Sequence, residues 1–293
     1  MTALRSHIRG VLTHFSAALR GRDLTLWAAG LTFFSVLAIV PMLLLLVRGA
    51  ALFIGDAVVL DHARRLGDAL PEAHDSTTQL VALAQAAVDA KWTTLLTALV
   101  PASMYGEGLR RALVQTTGTR PTGFTGWAGR LGFLPVLLVG PVLLALPLAV
   151  VPWVGPLYEA GGWSTVLGIV VSFHVDWVPI SLIVFLIIRF TGPPAFTTRA
   201  ALLAGFVIGA VLTGFLHGFV VFLAIPLDWS IPFGGLTVAG VVAALALWLF
   251  VLHVIFLMAY RVALSSHQVY LARRSGRDSA DDDAPSPPTE SAK

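Results

Sequence analysis

Residues Leu26–Val47 read LWAAGLTFFSVLAIVPMLLLLV, a run without a single charged side chain. As a helix rising ~1.5 Å per residue it covers ~33 Å, and a bilayer's hydrocarbon core is ~30 Å thick. The run therefore reads as a transmembrane helix. Outward from it, the only charge between Asp23 and Asp56 is Arg48. The same uncharged texture returns along the chain. Trp92–Gly106, Leu131–Tyr158, Ala200–Leu227 and Trp229–Tyr260 are uncharged, and Ala160–Ile188 carries only Asp176. Six spans are expected, at about 26–53, 92–113, 131–154, 167–190, 200–225 and 234–264.

Composition agrees. Hydrophobic residues make up 57% of the 293 and charged residues 12%, about half the ~25% usual in soluble domains. Mean hydropathy is +0.84. So few charges cannot cover so much apolar surface in water, which excludes an ordinary cytosolic enzyme, a disordered chain and a disulfide scaffold. With no Cys there is no disulfide and no thiolate site.

Basic loops set the orientation. With six spans and the N-terminus inside, 15 of the 19 Lys and Arg residues fall on one side. The other side holds Arg48, Arg64, Arg65 and Lys91. The expected fold is all-α and polytopic, N-in and C-in. Three segments are expected. Residues 1–25 form a cytoplasmic amphipathic segment, either lying on the leaflet or packed on the bundle. Residues 26–270 form the six-helix domain. Its acidic outer segment at about 55–91 is helical, with Ser76 and Gln79 in a capping-box pattern. Residues 271–293 form a disordered cytoplasmic tail.

Ionisable groups inside a membrane are costly and thus mark candidate sites. Asp176 lies ~20 Å along the fourth span from Arg189, with His174 beside it. It reads either as a proton- or cation-linked carboxylate in a cavity or as an interfacial Asp. Arg48 reads as a snorkelling cation, a partner for an outer acid, or a ligand for an anionic substrate. Glu107 precedes Arg110 and Arg111 at the spacing of local ion pairs, with an inner gate charge as the alternative. His217 and His253 read first as interhelical hydrogen bonders. Arg189, Arg199, Arg261, Arg273 and Arg274 ring the inner edge, where Arg189, Arg199 and Arg261 are candidates for lipid headgroups. A translocator is expected to turn Arg48, Glu107, Arg110, Arg111, His174, Asp176 and His217 toward one shared cavity.

Gly205-x-x-x-Gly209 and Gly214-x-x-x-Gly218 lie in the fifth span. Both pairs are expected to pack closely on neighbouring helices. Pro41, Pro101, Pro135, Pro141, Pro147 and Pro179 are expected to interrupt four other spans. No metal site, cofactor motif or catalytic constellation stands out, so an enzyme is not expected.

The first span carries an A-x-x-L-T-F-F-x-x-L-x-x-x-P pattern, and Pro101–Thr116 reads PASMYGEGLRRALVQT. These stretches, with Arg189–Phe222 and Pro232–Leu264, resemble the YihY/BrkB family of bacterial inner-membrane proteins. The likeness covers roughly 20–270. It departs at Phe233, where the family has Tyr, and at Ala259–Tyr260–Arg261, where the family has Gly-Ala-Glu. The resemblance implies a six-helix inner-membrane protein linked to envelope integrity and to lipid or lipopolysaccharide export. Its expected partners are membrane lipids and an anionic amphiphile as substrate. An old family label, ribonuclease BN, is not supported by the residues. The eight His residues are scattered, without the spacing a metal-bound water needs, and no basic, aromatic platform for nucleic acid is present. The expected function is transport or flipping of a lipid or glycolipid; the alternative is a non-transporting scaffold for envelope assembly.

Overall fold

A computed structural model describes residues 23–68, 76–118, 126–223 and 229–282. The expected amphipathic segment of residues 1–22 lies outside them. Helix α1 spans Leu24–Ile54, α2 Asp56–Asp68, α3 Ser76–Val88 and α4 Trp92–Thr117. Then come α5 Ala128–Glu159, α6 Gly162–Leu186, α7 Thr198–Leu223 and α8 Thr237–Asp282. Among the described residues there is no strand. The chain folds as an all-helical membrane protein.

Long helices follow from long apolar runs, because every backbone N–H and C=O in lipid must be satisfied within its own segment. Five of these helices are long and apolar enough to cross a membrane: α1, α5, α6 with its π-helical extension to Thr191, α7 and α8. Helix α4 has 26 residues but is not among the five, because Glu107, Arg110 and Arg111 dilute its apolar character. Contacts alternate the helix directions. Ser35 of α1 sits beside His253 of α8, Glu107 of α4 beside Gly129 of α5, and Gly132 of α5 beside Thr191. One end of the bundle thus gathers Asp23, Thr117, Ala128, Thr191, Thr198 and Arg261–Arg274 and is called the basic end. The far end gathers Ile54, Trp92, Glu159, Gly162 and Thr237.

The core is made of Leu31, Leu109, Leu113, Phe133, Leu257 and Tyr260, all nearly inaccessible. Facing outward are Phe33, Leu138, Trp163 and Leu203, each more than half exposed. Lipid tails are as apolar as these side chains, so packing and polar contacts rather than apolar burial hold such helices together. Small residues accordingly mark the tight crossings. A Cβ added to Gly209 would lie 2.3 Å from Ser181 Oγ, and one on Gly205 would lie 2.9 Å from the Ser181 carbonyl. The other pair in α7 departs from expectation. Gly214 has nothing within 4 Å of an added Cβ, and Gly218 meets Trp248 at an ordinary 3.7 Å. The turn of α7 that carries the second pair faces away from its close neighbour.

Two further expectations are corrected. The prolines do not break their helices. Pro41, Pro101 and Pro179 lie inside α1, α4 and α6, and Pro135, Pro141 and Pro147 inside α5, all assigned as continuous helix. The last helix also runs to Asp282, well into the segment expected to be disordered. A polar composition prevents a packed core, but it does not stop an existing helix from adding one bond per residue. The first proline beyond it is Pro285.

The short helices α2 and α3 sit at the far end. Val59 and Ala84 form a small apolar cluster with Ala51 at the end of α1. The side chain of Ser76, and with it the expected capping box, lies outside the described residues. At the other end Asp23 caps α1, accepting from the Thr25 hydroxyl and the Leu26 N–H. These donors hold its carboxyl below the ordinary value.

Candidate functional site

Polar side chains in this bundle are sorted into separate stations. The first lies at the basic end. Glu107, buried in α4, accepts from Arg111 Nε at 2.8 Å and from the Gly129 N–H at 3.0 Å. Gly129 is in the first turn of α5, whose leading N–H groups have no partners within the helix. Glu107 therefore places a carboxylate on a positive helix end. The crossing is close enough that a Cβ on Gly129 would lie 2.5 Å from the Glu107 Cα. Arg110 is half-buried on the same turn. Arg261, largely buried in α8, donates to the Thr116 carbonyl at 2.8 Å and so satisfies the last turn of α4.

A second station joins α1, α4 and α8. Thr32 and Ser35 donate to the Ala28 and Leu31 carbonyls one turn back and present lone pairs to His253. The ring nitrogens of His253 lie 3.4 Å from Thr32 Oγ1, 3.3 Å from Ser35 Oγ and 2.9 Å from Tyr105 OH. A ring that donates from Nδ1 to Thr32 and accepts the Tyr105 proton at Nε2 satisfies these two contacts without a charge, and Ser35, whose proton goes to the Leu31 carbonyl, is a neighbour of Nε2 and not its donor. The Tyr105 ring packs edge-on against both His253 and Phe133. The sequence signal for this station is the i, i+3 pair of hydroxyls in a run that is otherwise apolar, since such groups seek partners on other helices. Sequence reading placed only His253 in that role.

The third station joins α6 and α7. His217 Nε2 lies 3.2 Å from Asp176 Oδ2, and its Nδ1 lies 2.9 Å from the Thr213 carbonyl. Phe173 packs against the His217 ring. Trp177 donates to the Phe206 carbonyl at 2.9 Å. His174 is exposed, hydrogen-bonded to the Val170 carbonyl, and lines a shallow apolar hollow of about 480 Å³ between α5 and α6. Arg48 stands elsewhere, at the far end of α1, paired with Asp56 at 3.3 Å.

The larger opening is a groove of about 1180 Å³ between α7 and α8 at the basic end. Leu203, Val207 and Val211 of α7 and Ala259, Val262 and Ala263 of α8 form its apolar wall. Thr198, Arg199, Ser266, His267 and Arg274 form its mouth. From Thr198 to Val211 it runs ~20 Å along α7. Phe196 stacks on the His267 ring at 5.4 Å. None of Arg48, Glu107, Arg110, Arg111, His174, Asp176 and His217 lines this groove. Among the described residues these groups fall in separate stations rather than in one shared cavity, and Arg48 with Asp56, Arg111 with Glu107 and His217 with Asp176 pair locally. Of the basic residues at this end, Arg199 lines the mouth, Arg189 is exposed with its guanidinium 5.7 Å from the Phe190 ring, and Arg261 is turned inward. Among the described residues no group of three or more His, Asp or Glu is placed to share a metal ion.

Comparison with known proteins fits this architecture. No curated protein and no solved structure matches the chain. A family model described as virulence factor BrkB matches residues 15–284, which takes in every helix described above. The chain belongs to the BrkB family and is a multi-pass membrane protein.

Proposed function

We propose that the protein is a transporter or flippase of an anionic amphiphile, a lipid or glycolipid of the cell envelope, in a bacterial cytoplasmic membrane. The α7–α8 groove carries this reading. Its two parts match the two parts of an amphiphile: an apolar wall for acyl chains and a mouth with Arg199, Arg274 and His267 for an acidic head. Sites for small molecules usually occupy ~300–1,000 Å³, so about 1180 Å³ suits a larger, chain-bearing ligand. A groove of ~20 Å also reaches past headgroup depth, which a surface lipid contact does not require. In this reading the basic end is cytoplasmic, as the charge bias favours, and the cargo enters from the inner leaflet. No nucleotide-binding loop occurs in the sequence, so the drive is an ion gradient or the gradient of the cargo. No chemical step on the substrate is part of this reading; the protein acts on position, not on bonds.

The test is movement of fluorescent phosphatidylglycerol and phosphatidylcholine across reconstituted vesicles. The wild type is expected to move the anionic lipid faster. Val207→Trp, which fills the apolar wall, is expected to abolish movement, and Arg199→Gln with Arg274→Gln to erase the preference between the two lipids. A folded wild type that moves neither lipid leaves the scaffold as the reading.

A further inference from the structure

We infer that Asp176 and His217 form a proton-binding site in which one shared proton holds the far half of α7 against α6. The geometry fixes the proton count. A backbone carbonyl only accepts, so the Thr213 carbonyl at 2.9 Å requires a proton on His217 Nδ1. The other nitrogen, Nε2, then faces Asp176 Oδ2 at 3.2 Å. With no proton between them, a nitrogen lone pair meets a carboxylate lone pair, and the contact is repulsive. With one proton the pair is bonded, either as imidazolium and carboxylate or as imidazole and carboxylic acid. Both forms have no net charge, which suits a site inside a membrane. A second proton keeps the contact, because the imidazolium N–H still donates to the acid's carbonyl oxygen. The bond is therefore present at low pH and lost as pH rises.

The surroundings give that proton mechanical weight. From Gly205 to Gly209 the α6–α7 seam is tight, and the Trp177 bond to Phe206 lies within it. Beyond, Gly214 has open space beside it and Gly218 only a loose contact. The Asp176–His217 bond thus ties the loosely packed part of α7. Ser181 and Thr213 add two fully buried hydroxyls without hydrogen-bond partners on this seam, a polar line suited to water or proton passage. Both partners stay partly accessible, at 44% for His217 and 37% for Asp176. Other ionisable groups near this part of the bundle are His174 on α6 and, at the end of α5, Glu159 and Tyr158, whose hydroxyl meets Ser172 at 3.0 Å. On α8, His253 belongs to the α1–α4 station. None of the three from α5 and α8 bonds to the pair.

Helix α7 is also one wall of the groove, through Leu203, Val207 and Val211. Release of its far half frees the Val211 end of that wall, so the proton can gate that end of the groove. This link rests on the transport reading; the proton site itself does not. The chain has no Cys, so spin labels at Ile169→Cys and Leu216→Cys, both at exposed positions, report the α6–α7 distance in lipid nanodiscs without any cargo. In the wild type the distance distribution is expected to be narrow at acid pH and to broaden and lengthen as pH rises. Asp176→Asn, whose amide N–H donates to a neutral Nε2 and whose amide oxygen accepts from a protonated one, is expected to stay narrow throughout. His217→Ala is expected to be broad throughout. A wild-type distribution that does not change with pH, or an Asp176→Asn protein that keeps the change, overturns the proton site. Lipid movement measured on the same variants separates the two ideas: a pH-dependent distance with no lipid movement removes the transport reading and leaves the proton site standing.

Discussion

At the scale of the residue, this protein keeps several of its charges and hydroxyls in lipid-embedded helices by giving them particular partners. Glu107 shows the principle most clearly, since one oxygen meets Arg111 and the other the first turn of α5. Removing it strips a buried N–H of its acceptor and a helix end of its counter-charge. Glu107→Ala is expected to cost about 2 kcal/mol, within the range for hydrogen bonds to charged groups. Arg111→Ala is expected to cost about 0.5 kcal/mol, because the arginine side chain is mostly exposed and surface pairs contribute little. Chemical denaturation in detergent micelles compares the two, and equal losses would refute the assignment of Glu107 to the α5 terminus. The same logic applies at His253. Tyr105→Phe removes the proton donor to Nε2 but keeps the ring contacts. It is expected to lower stability by about 1 kcal/mol, while His253→Ala, which leaves both Tyr105 and Thr32 short of a partner and opens a void, is expected to cost at least twice as much.

At the scale of the element, what the sequence reveals is set by periodicity and hydropathy, and what it conceals is register between helices. Leu26–Val47 announces α1 by length alone. The start of α4 at Trp92 and of α3 at Ser76 is equally readable. The extension of α8 to Asp282 is not, since hydropathy tracks lipid and says nothing of a helix projecting beyond it. A glycine pair has the same weakness. Gly205/Gly209 and Gly214/Gly218 are indistinguishable as strings, yet only the first pair faces the backbone of α6. Likewise Arg261 reads as one more basic residue at a helix end, and only the position of α4 beside α8 turns it into a partner for the Thr116 carbonyl. The groove could not be read at all, because its wall is ordinary apolar residues whose facing partners lie ~55 positions away in sequence. The contrast within α7 is directly testable. Gly209→Leu must displace Ser181, whose Cα would lie 2.7 Å from the new Cβ, and is expected to abolish folded yield in detergent. Gly214→Leu meets nothing and is expected to behave like Val211→Leu. Size-exclusion recovery of the three variants measures this, and equal recovery for all three would remove the close crossing of α6 and α7.

At the scale of the whole molecule, the number of crossings turns on α4. Its hydropathy is diluted by one turn, Glu107–Arg111, and that turn does not lie at the centre of the bundle. It sits level with the start of α5, because Glu107 reaches Gly129. The preceding Trp92–Gly106 is uncharged and extends ~22 Å, and Glu107 itself is shielded inside the bundle rather than turned to lipid. A helix so placed, antiparallel to α1 and sharing its core, is expected to cross with its neighbours. Six crossings would bring both termini and 15 of the 19 basic residues to one side, the arrangement that positive-inside insertion favours. With five crossings, the basic segment after α4 would share a side with the acidic segment before it, and Arg5, Arg9, Arg20 and Arg22 would lie opposite the other 15 basic residues. The absence of native Cys allows a clean measurement. Single cysteines at Arg65 and Trp92, both exposed, are expected to react with a membrane-impermeant maleimide on intact cells. Cysteines at Arg199 and Arg274 are expected to react only after the membrane is opened. Labelling of Arg199→Cys from outside would invert the bundle and place the mouth of the groove on the wrong face for cargo taken from the inner leaflet. Labelling of Trp92→Cys only after permeabilisation would show that α4 does not cross, and the N-terminal basic segment would then lie opposite the other 15 basic residues.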